Sequence, residues 1–217
     1  MGKENMKVTL AICTNRGIKP KTAQSLLEMA VHSKVEWNIL VAERGYTIAE
    51  NRNYCVVQAK KNESDYLFFI DDDMVFPKET FERLLGHNKE VIGVNSYSRC
   101  FPPSSTVGLM DKEGKYKHPD KHSAWEMKIP DGLFEAYFVG TGIMLIDMEI
   151  FKKIKEPYFA FSYQKNGLVK SGEDGSFCEK VKKSGMSIWC DGSLPVFHIG
   201  EYLYGNPKED LIKIEKL

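Results

Sequence analysis

The run Phe68-Phe69-Ile70-Asp71-Asp72-Asp73-Met74 sets three carboxylates in a row at the end of an apolar stretch. Like charges held this close repel unless a cation or water screens them. In an extended segment Asp71 and Asp73 leave the backbone on the same side. Two carboxylates on one side, at a ligand crevice, suit Mg2+ or Mn2+ with a phosphate completing the coordination shell. A solvated acidic turn ahead of a helix is the plainer alternative, because an Asp also stabilises a helix N-terminus. The hydrophobic strand in front of the acids favours the ligand site.

Three further places carry candidate chemistry. In Ser171-Gly172-Glu173-Asp174, the first and last residues have the spacing of a capping box, and Glu173 and Asp174 fall near a helix N-terminus, which lowers carboxylate pKa values. A carboxylate kept ionised can accept a proton from a hydroxyl held close to it. His198, in Pro195-Val196-Phe197-His198, reads first as a satisfied core histidine, although imidazole also suits Mn2+. Gly140-Thr141-Gly142 resembles the opening of a dinucleotide fingerprint, but Leu145 holds the third glycine position and a strand follows. A Rossmann NAD site is therefore rejected, and close approach of backbone to a strand or substrate explains the glycines better.

The elements needed to position these residues are legible in outline. Met6 to Cys13, Trp37 to Ala42, Tyr66 to Ile70 and Glu90 to Asn95 read as strands. Between them, Pro20 opens a helix with Ala23, Leu26, Leu27, Ala30 and Val31 on its apolar face. Thr47 and Glu50 form a capping box for a second helix reaching about Lys61. Pro77 suits the first turn of a third, with Phe81, Leu84 and Leu85 inward. This β-α-β-α-β-α-β order predicts an α/β fold with a mostly parallel sheet flanked by helices, and ligands outside the carboxyl ends of its strands. After residue 96 the pattern changes to loops and short antiparallel pieces. Phe134 to Val139, Ile143 to Asp147, Ser187 to Cys190 and Pro195 to His198 read as strands, and Ser171 to Lys183 as a helix. A tail begins at Asn206, read as a surface helix or frayed end.

Composition bounds the function. The chain has 217 residues with 30 Lys+Arg against 30 Asp+Glu, and a neutral chain disfavours general nucleic-acid binding, which needs excess cations. No apolar run is long enough to span a bilayer, and the first residues lack a secretory core. Five cysteines without a CxxC pair argue against a zinc site or disulfide framework, and predict small buried thiols in a reducing, cytoplasmic setting.

In order, LAICTNRG, FFIDDDM, VGTGIMLIDMEIF, SGEDGSFCEKVKKSGMSIWCDGS and VFHIG resemble a GT-A-fold glycosyltransferase of the family 2-like bacterial and phage type, over roughly residues 6 to 200. The resemblance implies a single domain of residues 1–217, with a nucleotide-binding half to 96, an acceptor and catalytic half over 97–205, and the tail. It implies a DxD motif in which Asp73 binds Mn2+ or Mg2+ and Asp71 contacts metal or donor sugar, with His198 a further metal ligand. Thr14, Asn15, Arg16, Arg52, Asp72, Gly140, Thr141 and Gly142 fall among the donor and acceptor contacts. Asp174, with Glu173 beside it, matches the carboxylate that serves inverting members as general base. The implied substrates are a nucleotide-sugar donor, UDP-sugars first and GDP-sugars second, and a glycan or other hydroxyl acceptor. Two alternatives stand beside this reading. A nucleotidyltransferase would also set acids and a metal by a nucleotide, but TNRGIKPK is a poor Gly-rich phosphate loop. A silent sugar-nucleotide-binding module would have little need of a base.

Overall fold

The computed structural model describes residues 6–43, 45–99, 103–117, 128–200 and the backbone of 203–205. The first half alternates strand and helix: β1 (Lys7–Cys13), α1 (Pro20–His32), β2 (Glu36–Ala42), α2 (Ile48–Lys61), β3 (Tyr66–Ile70), β4 (Met74–Val75), α3 (Thr80–Gly86) and β5 (Val91–Val94). Short pieces follow: β6 (Val107–Met110), β7 (Tyr116–Lys117), β8 (Leu133–Ala136), β9 (Phe138–Val139) and β10 (Ile143–Asp147). The remainder is α4 (Ile150–Lys153), β11 (Ser162–Tyr163), β12 (Val169–Ser171), α5 (Glu173–Lys183), β13 (Ile188–Asp191), β14 (Phe197–Ile199) and β15 (Leu203–Gly205).

Seven strands make the central sheet, in the order β2-β1-β3-β10-β5-β13-β8. β1 runs parallel to β2 and β3, and β13 runs parallel to β5. β10 lies between β3 and β5 and is antiparallel to both, and β8 closes the edge antiparallel to β13. The sheet is thus mostly parallel, with a reversed strand at its centre. Because β10 runs backwards, its first residues meet the carboxyl ends of β3 and β5. The backbone N–H of Asp71 donates to the Gly142 carbonyl at 2.9 Å.

The central strands are buried on both faces, as near-continuous apolar runs require. Leu67, Phe69, Met144 and Ile146 face a core shared with α2 and α5 through Cys55, Val56, Phe177 and Val181. Phe68, Ile70 and Leu145 face the opposite core, with Leu26 and Met29 of α1 and Phe81 and Leu84 of α3. Each such side chain contributes roughly 1.5–3 kcal/mol on burial.

Several local expectations need correction. The buried face of α1 is Thr22, Ser25, Leu26 and Met29, whereas Leu27 and Val31 are 68% and 88% exposed. Ser25 Oγ accepts the Phe76 N–H at 3.2 Å, and a satisfied hydroxyl is cheap to bury, so the helix turns by a face that apolar periodicity does not mark. Pro77 lies ahead of α3, its carbonyl accepting from Thr80 N and Oγ1. The Thr47–Glu50 capping box forms in full on α2, but α5 begins after Gly172 with no side-chain cap, and Ser171 belongs to β12. Phe134 to Val139 is two strands, broken at Tyr137. The thiols of Cys13, Cys55, Cys178 and Cys190 are free and buried. Cys100 and the tail from Asn206 lie outside the described residues.

Candidate active site

The acid triplet follows β3 at the carboxyl edge of the sheet, and each acid turns to a different partner. Asp71 accepts from Arg52 Nη2 at 3.3 Å. Asp72 takes the hydroxyl hydrogen bond of Thr14. Asp73 is 4% exposed, with His198 Nε2 2.9 Å from Oδ1 and Arg99 Nη1 2.6 Å from Oδ2. The triplet is tolerable because cations and a hydroxyl from four separate segments converge on it.

The turn after β1 is tied to the acids by Thr14. Its Oγ1 donates to Asp72 and accepts from Arg16 N at 3.2 Å and Gly17 N at 2.9 Å. Gly17 has φ +83, which an L side chain rarely adopts. Thr14 and Asn15 line a cavity of about 240 Å3 together with Arg52, the three acids, Arg99 and His198. Arg16 does not line this cavity, and its side chain is exposed.

Arg52 is the hub beneath the cavity. It is 4% exposed and pairs at once with Asp71 and with Glu173 at the start of α5. Burial works to lower its pKa, and Asp71 and Glu173 outweigh that and hold it above its ordinary value. Burial pushes the Glu173 carboxyl up, against the pull of Arg52, so the lowering expected from the helix terminus is overridden there. Burial likewise raises Asp72, against the Thr14 hydrogen bond. For Asp73 burial acts upward, but His198 and Arg99 overcome it and hold the carboxyl below its usual range.

His198 has both ring nitrogens facing acceptors. Nδ1 lies 2.9 Å from the Tyr97 carbonyl and Nε2 faces Asp73. Burial opposes its charge, and the Asp73 hydrogen bond and charge outweigh that and raise its pKa. An Nδ1–H held by a carbonyl is the arrangement that frees Nε2 for a metal, so Asp73 and His198 fit a divalent cation in place of the second imidazole proton. Asp71 is drawn aside to Arg52, and among the described residues no three His, Cys, Asp or Glu side chains converge as a ready ion site. A shell built here would need the ligand's own oxygens, as Mg2+ and Mn2+ sites on phosphates commonly do.

Gly140-Thr141-Gly142 links the acids to Asp174. A Cβ on Gly142 would stand 3.7 Å from Asp71 Oδ2, and one on Gly140 would stand 3.7 Å from Asp174 Oδ2. Two residues of chain span at most ~7 Å, so Asp71 and Asp174 look onto neighbouring ends of one short segment. Asp174 is half-buried and accepts from Gly175 N at 2.7 Å. It opens onto a second cavity shared with Tyr116 and Tyr137. Glu173, by contrast, turns inward.

The chain was also compared with known proteins. No family model matches it, and no curated protein does. Solved structures do. The crystal structure of A197 from STIV superposes with a TM-score of 0.61, at 21% identity over 94% of this chain and 92% of that one. GalNAc-T7 with UDP, GalNAc and Mn2+ superposes with a TM-score of 0.53, at 11% identity over 92% of this chain. The match takes in 45% of GalNAc-T7, so this chain corresponds to under half of that protein. The fold is GT-A-like. Identities this low establish the GT-A-like architecture alone.

Within that fold, Arg99 is a site residue the sequence did not assign, as are Tyr46 and Asn51 on the cavity wall. It follows β5, at the same carboxyl edge as the acids. A cationic side chain just past a central parallel strand is the signal that could have found it. Tyr97 contributes through its carbonyl, which no side-chain motif reveals.

Proposed function

We propose that the chain is a metal-dependent glycosyltransferase that moves a sugar from a nucleotide-diphosphate sugar, UDP-linked by preference, to an acceptor hydroxyl with inversion. The observation that carries this is the placement of Asp71 and Asp174 against the two glycines of Gly140-Thr141-Gly142. A reacting sugar seated on that segment has the metal-side acids next to one end and a partly exposed carboxylate next to the other.

In this reading Asp73 and His198 hold Mn2+ or Mg2+. When bound, the ion neutralises charge on the departing diphosphate. Thr14, Asn15 and Asp72 line the nucleotide cavity, and Arg52 fixes Asp71 from below. Asp174 takes the acceptor O–H proton as the oxygen attacks the anomeric carbon. The new C–O bond forms as the bond to the diphosphate breaks, and the electron pair leaves with the nucleotide. Glu173 is a positioning residue, anchoring the start of α5 to Arg52. The preference for UDP draws on GalNAc-T7, whose structure holds UDP and Mn2+.

A panel of nucleotide sugars in a thermal-shift assay, with and without Mn2+, tests this. The expected result is stabilisation by one donor class that requires the metal and is lost in Asp73→Asn. Stabilisation by none of them would defeat the proposal. Product analysis separates the nucleotidyltransferase alternative, which releases pyrophosphate where glycosyl transfer releases a nucleoside diphosphate.

A further inference from the structure

Asp73 already holds a cation. Its Oδ2 accepts from Arg99 Nη1 at 2.6 Å and its Oδ1 lies 2.9 Å from His198 Nε2, so both carboxylate oxygens are engaged. The two partners are held differently. His198 is half-buried, and its Nδ1 is fixed at the Tyr97 carbonyl. The Arg99 side chain is 49% exposed, and among the described residues Asp73 is the one carboxylate it pairs with. The backbone that carries Arg99 is anchored by other groups. Ser98 N donates to the Ser104 carbonyl at 2.8 Å, the Ser98 and Ser104 hydroxyls lie 2.7 Å apart, and Tyr97 bridges to Ser105. Arg99 can therefore change partner by rotation of its side chain alone, as exposed side chains do.

A guanidinium and a divalent cation compete for that carboxylate. Two positive centres on one small anion repel, and the hydrogen bond that Arg99 would give up is a charge-assisted one, the stronger kind. The cavity offers Arg99 no replacement of its own, because Asp71 is paired with Arg52 and Asp72 with Thr14. Arg99 nevertheless lines that cavity beside the acids. The acceptor an expelled guanidinium finds there is one that arrives with a ligand. A diphosphate supplies it, since the planar guanidinium donates two parallel N–H bonds to phosphate oxygens.

We infer that Arg99 has two stations: it holds Asp73 while the divalent cation is absent, and it moves to the diphosphate of the nucleotide when the cation takes Asp73. This rests on the reading of Asp73 and His198 as metal ligands, and it adds the residue that couples metal binding to nucleotide binding. The chain then binds Mn2+ weakly by itself, because Arg99 must leave Asp73 with no new anion to meet. The nucleotide brings that anion, so each ligand strengthens the binding of the other by the same factor. The exchange breaks and makes only hydrogen bonds, and the guanidinium keeps its charge throughout.

The test is calorimetric titration of the full chain with MnCl2 alone, and then with UDP and GDP at saturating Mn2+, in the wild type and in Arg99→Met. Loss of the guanidinium is expected to tighten Mn2+ binding about tenfold without nucleotide, and to weaken nucleotide binding about tenfold with Mn2+ present. The opposite signs are the signature, since a merely structural role would weaken both. Arg99→Gln leaves Asp73 a neutral hydrogen-bond donor. It covers the case in which Arg99→Met does not fold, and should move both affinities in the same two directions. Mn2+ affinity unchanged or reduced in a folded variant would overturn the inference, and so would nucleotide affinity that does not fall. Asp73→Asn separates this inference from the reading beneath it. If Mn2+ binding is lost in Asp73→Asn but unmoved in Arg99→Met, the metal reading stands and the exchange fails. If neither the wild type nor Arg99→Met binds Mn2+, with or without nucleotide, the metal reading fails and the exchange with it.

Discussion

The two ends of Gly140-Thr141-Gly142 are built on opposite plans. On the Asp71 side nearly every charge is answered by another from a distant part of the chain: Arg52 with Asp71, Arg99 and His198 with Asp73. On the Asp174 side the charges are answered close by in sequence: Glu179 pairs with Lys183 at 2.8 Å, and the Asp174 carboxylate accepts from its own neighbour Gly175. A paired cluster is suited to exchange partners for a charged ligand, since its cations and anions are already desolvated and aimed. The difference teaches that the likeness of the three carboxylates Asp71, Asp73 and Asp174 is superficial, because surroundings assign each its work.

The largest expected effect separates the two ends. Asp174→Asn should cut turnover by about 10²–10⁴ and leave nucleotide affinity unchanged by calorimetry. A matching loss of nucleotide affinity would place Asp174 with the donor cluster and dissolve the distinction. Next, Arg52→Met should break both ends at once. It strands Asp71 and Glu173, and losing one partner of a buried pair costs roughly 3–5 kcal/mol, measurable by urea unfolding. Loss of donor affinity alone, at full stability, would show that Arg52 serves only the nucleotide.

A third measurement sets the scaffold apart from either end. Asp191, fully buried, accepts from Arg83 Nε at 2.6 Å and lies 2.9 Å from His87 Nε2. Burial works to raise its pKa, and the Arg83 and His87 hydrogen bonds overcome that and pull it down to about 2. A depressed acid stabilises the fold above its unfolded pKa, and this contribution is lost as pH falls from about 4 through 2, worth roughly 2 kcal/mol. The acid limb of stability against pH should therefore flatten in Asp191→Asn, and an unchanged limb would refute the assignment. The smallest effect is Gly140→Ala. The new Cβ would stand 3.2 Å from Thr106 Cβ, so stability should fall by about 1 kcal/mol, with turnover dropping more than nucleotide affinity.

Much of the scaffold was readable from the residues. Tyr66 to Ile70 announced a buried strand by length and aromatic content, and Thr47 with Glu50 announced the start of α2 by a local hydrogen-bond pattern. Both signals are short-range. What could not be read depends on encounters between distant segments. Arg52 meets Glu173 across 121 positions and Arg99 meets Asp73 across 26. No periodicity records such pairings. The rotation of α1 escaped for a related reason, since a buried serine is identified only by the Phe76 amide that satisfies it.

The reversed central strand has a consequence for how the chain is made. β5 ends at Val94, and β10, which must lie between β3 and β5, begins only at Ile143. A growing chain thus releases β3 and β5 with facing edges that have nothing to pair with until the loops and short strands after residue 96 have followed. Unpaired apolar edges invite wrong partners. The same late insertion delivers Gly140-Thr141-Gly142 to Asp71, so the sheet's centre and the segment beside the acid triplet are completed together.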